Sequence, residues 1–170
     1  TLVTHAHPTG GYRERRASCE QGAAAMGVES LRDLSVDDLE RAASVMDEVT
    51  FRRVRHVVTE NERVLETVRV LRESGPRAIG ELLLTSHASM RDDFEISVPE
   101  LDTAVEAAMS GGAIGARMTG GGFGGAAIAL VARDTLTAVT DAVTAAFSTS
   151  GFRAPRIFTV QPSAGAHRDS

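Results

Sequence analysis

Eight of the fifteen residues from Gly111 to Gly125 are glycine. No helix or strand interior carries glycine at that density without a large entropic cost, so an ordered role has to offset it. The block is followed by the strand-like run Ala126–Ala132 and preceded by a helical pattern, which makes it a connection between a strand and its neighbour. Three roles suit it. It can be a loose hairpin, a place where strand and helix backbones touch because no Cβ intervenes, or a loop whose N–H groups converge on an anion or on sugar hydroxyls. It is not the G-x-G-x-x-G fingerprint of dinucleotide sites, because a strand and not a helix follows it. Phe123, inside the run, argues against pure flexibility, since a large apolar ring needs somewhere to pack.

The rest of the chain is mostly helical in pattern. Thr1–His7 alternates and reads as a strand, and Pro8, Gly10 and Gly11 read as a turn. Tyr12–Met26 is a helix stopped by Gly27, and Ser35 with Asp38 suits the start of a short one. Val54, Val57, Val58, Leu65, Val68 and Leu71 then form a long apolar stripe of helical period, with Asn61 as a polar member of the same face. Gly75-Pro76 ends that helix and opens another, carrying Ile79, Leu82, Leu83, Ser86 and Met90. Ser97, Pro99 and Glu100 are expected to form a capping box for a helix reaching Met109. A last helix, Asp134–Phe147, leads to a final strand at Arg156–Val160. Residues 161–170 form a polar tail. The order implies an α+β fold with an antiparallel sheet and helices on one face.

Composition narrows the chemistry. All 18 basic side chains are arginine, with no lysine, which excludes a Walker lysine and any Schiff-base lysine. A single cysteine, Cys19, allows neither an internal disulfide nor a zinc cluster and suits a reducing, cytoplasmic compartment. The net charge of −5 without a dense basic block argues against nucleic acid as a partner. The absence of a long apolar run or a basic-then-apolar leader argues against a membrane span or a secreted precursor.

Single residues have plain readings beside the functional ones. His5 and His7 share a strand face, but without a third ligand they read as a surface or interdomain pair and not as a metal site. Arg52, Arg53 and Arg55 read as a salt-bridged face opposite Glu48 and Glu62. Asp92, Asp93 and Glu95 read as capping or arginine-paired carboxylates, Asn61 as an amide satisfying a neighbouring backbone group, and Cys19 as a small core residue.

Four ordered stretches carry a resemblance. Gly115-Ala116-Arg117-Met118-Thr119-Gly120-Gly121-Gly122-Phe123-Gly124-Gly125 resembles the third signature motif of galactokinases, in the GHMP small-molecule kinase superfamily. Tyr12 with Arg15-Arg16 and Cys19-Glu20 resembles the family's Y-x-x-R-R-x-x-C-E segment. Phe51 to Arg63 resembles R-R-A-R-H-V-V-T-E-N-E-R, and Ser86 to Asp102 resembles S-H-x-S-L-R-D-D-Y-E-V-S-x-P-E-L-D. The similarity runs from Thr1 to about Val160.

The resemblance implies a GHMP kinase C-terminal domain over residues 12–160, an antiparallel sheet of about four strands against helices with a ferredoxin-like core. Residues 1–11 are then a strand and turn left from the junction with a missing N-terminal domain. The implied parent reaction is ATP-dependent phosphorylation of galactose at its C1 hydroxyl, with Mg²⁺. The family's catalytic aspartate and arginine are expected upstream, so this chain is expected to hold no catalytic residue or metal ligand, to bind no cofactor alone and to be inactive alone. Its implied contributions are Tyr12, against the sugar, and the active-site glycine loop of Thr119, Gly120, Gly121, Gly122, Phe123, Gly124 and Gly125. Two other readings stay open: a galactokinase-like sugar-binding or regulatory protein without catalysis, and a kinase for another hexose such as N-acetylgalactosamine. An unrelated α+β module with a structural glycine loop is a further one.

Overall fold

The computed structural model describes residues 8–162 and 165. The expected strand Thr1–His7, with His5 and His7, lies outside the described residues. The first helix, α1, spans Pro8–Met26. It therefore includes Pro8, Gly10 and Gly11, which the sequence placed in a turn. Proline is tolerated in a helix's first turn, where its missing N–H has no intrahelical partner, and Gly11 has a packing reason given below. Gly27 ends α1 at φ 70°.

A capped turn at Leu31–Asp33 and a second at Val36–Asp38, where Asp38 accepts from the Ser35 N–H at 2.9 Å, lead into α2, Leu39–Val45. The long helix α3 covers Glu48–Ser74, started by Asp47, whose side chain accepts from the Thr50 N–H at 2.9 Å. Then come α4, Gly80–Asp92, and α5, Pro99–Ser110. Val98 is the N-cap of α5, and no capping box forms there. The Ser97 hydroxyl instead donates to Asp102 at 2.5 Å, a stronger, charge-assisted bond.

Strands β1, Gly115–Thr119, and β2, Ala126–Leu130, pair antiparallel in the register Gly115↔Leu130 to Thr119↔Ala126. They leave Gly120–Gly125 as the connecting loop. Helix α6, Leu136–Thr149, closes the described elements. Among the described residues the sheet has two strands where about four were expected. Among the described residues no strand pairs with Arg156–Val160, which is exposed at every position.

Three apolar clusters hold these elements together. One joins α1, α2 and the first half of α3 through Ala23, Met26, Leu31, Ala42, Val54 and Val58. A second joins α5, α6 and β1 around Val105, Ala116, Val143 and Phe147. The third, Met90, Ile96, Leu101 and Met118, lies under the glycine loop, with Phe94, Val98 and Phe123 against it. As composition requires, Ala, Val, Leu, Ile and Met dominate all three.

The stripe on α3 divides. Val54 and Val58 are buried, whereas Leu65 is 66% exposed, Val68 41% and Leu71 39%. Asn61 is also exposed, so it does not satisfy a buried neighbour. A helix of 27 residues reaches about 40 Å, well beyond the 19 residues of α1 laid against its first half.

Where strand and helix meet, backbones touch. A Cβ on Gly115 would lie 2.6 Å from the Cα and carbonyl oxygen of Gly80. Strand-on-helix packing thus explains Gly115, and β1 is seated directly on the start of α4.

Candidate active-site wall

The glycine loop is ordered by what lies beneath it. The Phe123 N–H donates to the Ile96 carbonyl at 2.7 Å. A Cβ on Gly122 would lie 2.6 Å from both the Ile96 Cβ and its carbonyl oxygen, and Gly122 has φ 80°, so space and backbone conformation both require glycine there. Gly120 and Gly121 are exposed with open space around them, forming the apex. Phe123 is folded inward at φ 59°, its ring over α1. Any side chain at Gly11 would collide with that ring. The need of Phe123 for a packing partner is met by Gly11 and by the cluster of Met90, Ile96, Leu101 and Met118.

This contact brings the sequence-selected residues together. Tyr12 follows Gly11 on α1 and is 63% exposed. It stands beside the loop's anchor with its ring free of the core. Apolar rings with a polar tip and clustered backbone donors are the components a sugar or phosphate site uses. Two clefts of the described surface lie elsewhere. One, about 290 Å³, sits between α1 and α3 and is lined by Arg16, Cys19, Arg32 and Asn61. The other, about 190 Å³, lies between α3 and α4 beside Glu60, Val68 and Leu83. The Gly11–Phe123 contact thus ties the start of α1, where Tyr12 is the next residue, to the glycine loop.

Arginines fix the turn on which the loop rests. Arg15, 8% exposed, donates from Nη2 to the Glu95 carbonyl at 2.9 Å and from Nε to the Phe94 carbonyl, with its guanidinium 5.6 Å from the Phe123 ring centroid. Arg53, 2% exposed, donates to the Asp93 carbonyl and, at 2.6 Å, to the Glu95 carboxylate. Arg52 Nη1 lies 2.7 Å from the other Glu95 oxygen, and Arg55 grips the Asp93 carboxylate, with Nε to Oδ2 at 3.0 Å. Hydrogen bonding from Arg53, then its charge and that of Arg52, hold the Glu95 carboxyl below the usual range. Glu95 has φ 51°, a conformation costing a glutamate on the order of 1 kcal/mol. The arginine face is salt-bridged as expected, but toward Asp93 and Glu95 and not toward Glu48 and Glu62.

Buried histidines complete the support. The Met118 N–H, just before the loop, donates to His87 Nδ1 at 3.3 Å, so His87 carries its proton on Nε2. Nε2 is 3.2 Å from Asp102 but lacks the alignment of a hydrogen bond. Burial lowers the His87 pKa against the opposing charge of Asp102. His56 is stacked on Phe94 at 4.4 Å and lies 2.9 Å from the Ser89 hydroxyl; burial lowers its pKa to about 4. Glu60 ties three elements, accepting from Ser86 at 2.6 Å and from Arg117 at 2.9 Å and pairing with Arg63. Burial pushes its carboxyl up, and these three partners outweigh that and hold it low. Cys19 is half-buried, its thiol pKa raised by burial.

Reading residues singly missed Gly11, Arg15, Glu95 and His87 as supports of the loop and its flanks. Arg15 and Glu95 did lie within the family-like stretches, which was the available signal. Among the described residues no three His, Cys, Asp or Glu side chains converge as a metal site. No described helix is long and apolar enough to cross a membrane.

Comparison with known proteins points to one family. The family model described as GHMP kinases C terminal matches residues 67–149. Galactokinase of Streptomyces coelicolor is 55% identical over 170 residues, covering 99% of this chain and 44% of that protein. Galactokinase of Mycobacterium tuberculosis is 46% identical over 162 residues, covering 95% of this chain and 45% of that protein. The crystal structure of Lactococcus lactis galactokinase complexed with galactose superposes with a TM-score of 0.81 at 36% identity, covering 91% of this chain and 40% of that one. The chain thus spans less than half the length of the relatives it matches. Its residues 67–149 match the C-terminal domain of the GHMP kinases, and nearly the whole chain corresponds to the C-terminal part of galactokinases.

Proposed function

We propose that this chain forms the C-terminal wall of a galactokinase active site, in an enzyme that phosphorylates galactose at C1 with ATP in the cytoplasm. The observation that carries the reading is the Gly11–Phe123 contact, which sets exposed Tyr12 beside a glycine loop with an open apex. Tyr12 contacts the sugar. Thr119, Gly120, Gly121, Gly122, Phe123, Gly124 and Gly125 line the sugar and phosphate side, where a Cβ at the apex would stand in the path of an approaching hydroxyl or phosphate oxygen.

In this reading the C1 hydroxyl oxygen bonds to the γ-phosphorus of ATP as the bond to the β–γ bridging oxygen breaks. ADP leaves, and the hydroxyl proton passes to an aspartate on an N-terminal domain. An arginine there stabilises the spreading charge, and Mg²⁺ is held outside the described residues. Phosphoryl transfer depends on positioning and charge stabilisation, which suits a wall of backbone donors without a lysine. The finer architecture belongs to the same proposal. Thr1–His7 and Arg156–Val160 would widen the sheet to about four strands, giving the ferredoxin-like core, as the junction with the N-terminal domain forms.

The test mixes the 170-residue chain with the remaining N-terminal part of the Streptomyces coelicolor relative and follows ADP release. Galactose-dependent turnover is expected in the mixture and not from either part alone, and Tyr12→Phe should raise the KM for galactose. Galactose-dependent ATP consumption by the chain alone would overturn the division of labour, and a mixture active on N-acetylgalactosamine but not galactose would overturn the substrate.

A further inference from the structure

Among the described residues, only Glu95 and Phe123 are non-glycine residues with positive φ. They sit on opposite sides of one hydrogen bond, from the Phe123 N–H to the carbonyl of Ile96, the residue after Glu95. The turn holding Glu95 is unusually well tied. Three successive carbonyls, of Asp93, Phe94 and Glu95, accept from arginines on two different helices, Arg53 on α3 and Arg15 on α1. The Glu95 carboxylate answers both Arg52 and Arg53, and Arg15 also lies against the Phe123 ring. A backbone conformation that glutamate disfavours persists only where its surroundings over-determine it.

We propose that Glu95 is a positioning residue for the glycine loop. Locked left-handed by Arg52 and Arg53, it sets the direction of the Ile96 carbonyl. That carbonyl fixes Phe123, and Phe123 fixes the direction in which the Gly120–Gly121 apex faces Tyr12. Glu95 touches no reacting atom; it acts through Ile96 and Phe123. Its effect on turnover rests on the galactokinase reading, whereas its hold on the loop does not.

The two are separated by measuring both. In the chain itself, amide hydrogen exchange is compared for Phe123 and for Val143 of α6 in wild type, Glu95→Ala and Glu95→Gln. Glu95→Ala should speed exchange at Phe123 by about tenfold or more while leaving Val143 unchanged. Glu95→Gln, which keeps a hydrogen bond to Arg53 without the charge, should fall between and covers the case in which the alanine variant does not fold. Unchanged exchange at Phe123 in a folded variant, or equal acceleration at Phe123 and Val143, overturns the proposal. In the mixture with the N-terminal part, Glu95→Ala should lower kcat while the KM for ATP stays within about twofold. Normal kcat with a loosened Phe123 overturns the positioning role. A wild-type mixture that turns over nothing, with Phe123 still loosened by Glu95→Ala, removes the kinase reading and keeps the latch.

Discussion

The two halves of α3 carry the same apolar period and meet opposite fates. In the first half, Val54 and Val58 are sealed under α1 and α2, and Arg53 and His56 are drawn into the supports of the glycine loop. In the second half, Val64, Leu65, Val68 and Leu71 face outward. Periodicity describes a helix's own face. Whether that face is covered depends on the length of whatever is laid against it, and α1 is too short.

Four measurements sharpen the contrast. The largest effect should come from Arg53→Ala, which removes a nearly inaccessible guanidinium and leaves the Glu95 carboxylate and the Asp93 carbonyl without it. Losing the two charge-assisted hydrogen bonds of this buried guanidinium costs about 3–4 kcal/mol even though the Glu95 carboxylate is 41% exposed and keeps Arg52, read from denaturant unfolding. A stability–pH profile should show the next. The His56 pKa is lowered from 6.5 to about 4 by burial, so the unfolded chain binds the proton more readily. Its contribution should be complete above about pH 6.5 and fall by roughly 3 kcal/mol as pH drops toward 4, and His56→Asn should flatten that window. Val54→Ala, at a site with no exposure, should cost about 2 kcal/mol. Leu65→Ala, at 66% exposure, should stay within about 0.5 kcal/mol. A Leu65 penalty as large as that of Val54 would break the comparison and show the second half to be covered in solution.

Much of the helical order was legible because its signals are local. Gly27 stops α1, Gly75-Pro76 divides α3 from α4, and the apolar periods mark α3 and α4, all from neighbouring residues. The glycine block was legible as a loop between strands, and Phe123 as a ring needing a partner. What could not be read depends on distance. Gly10 and Gly11 look like a turn in isolation, and Gly11 makes sense only with Phe123 above it. Arg53 has nearby acidic residues, Glu48 and Glu62, yet pairs with Glu95, which the fold brings across 42 positions. The Ser97–Glu100 pattern was overruled by Asp102, a better acceptor one turn on. Resemblance placed Tyr12 and the loop in one site, and the space at Gly11 supplies a physical reason for their being neighbours.

Tyr12 is the chain's only tyrosine, and there is no tryptophan. Ultraviolet emission from the unmodified protein therefore comes almost wholly from one exposed ring, on the residue after the Gly11 that meets Phe123 of the loop. A sugar, a nucleotide or an N-terminal domain settling over that wall would change the ring's surroundings and so its emission. The protein carries an optical reporter at the position where its chemistry is proposed to happen, and no label has to be attached to use it.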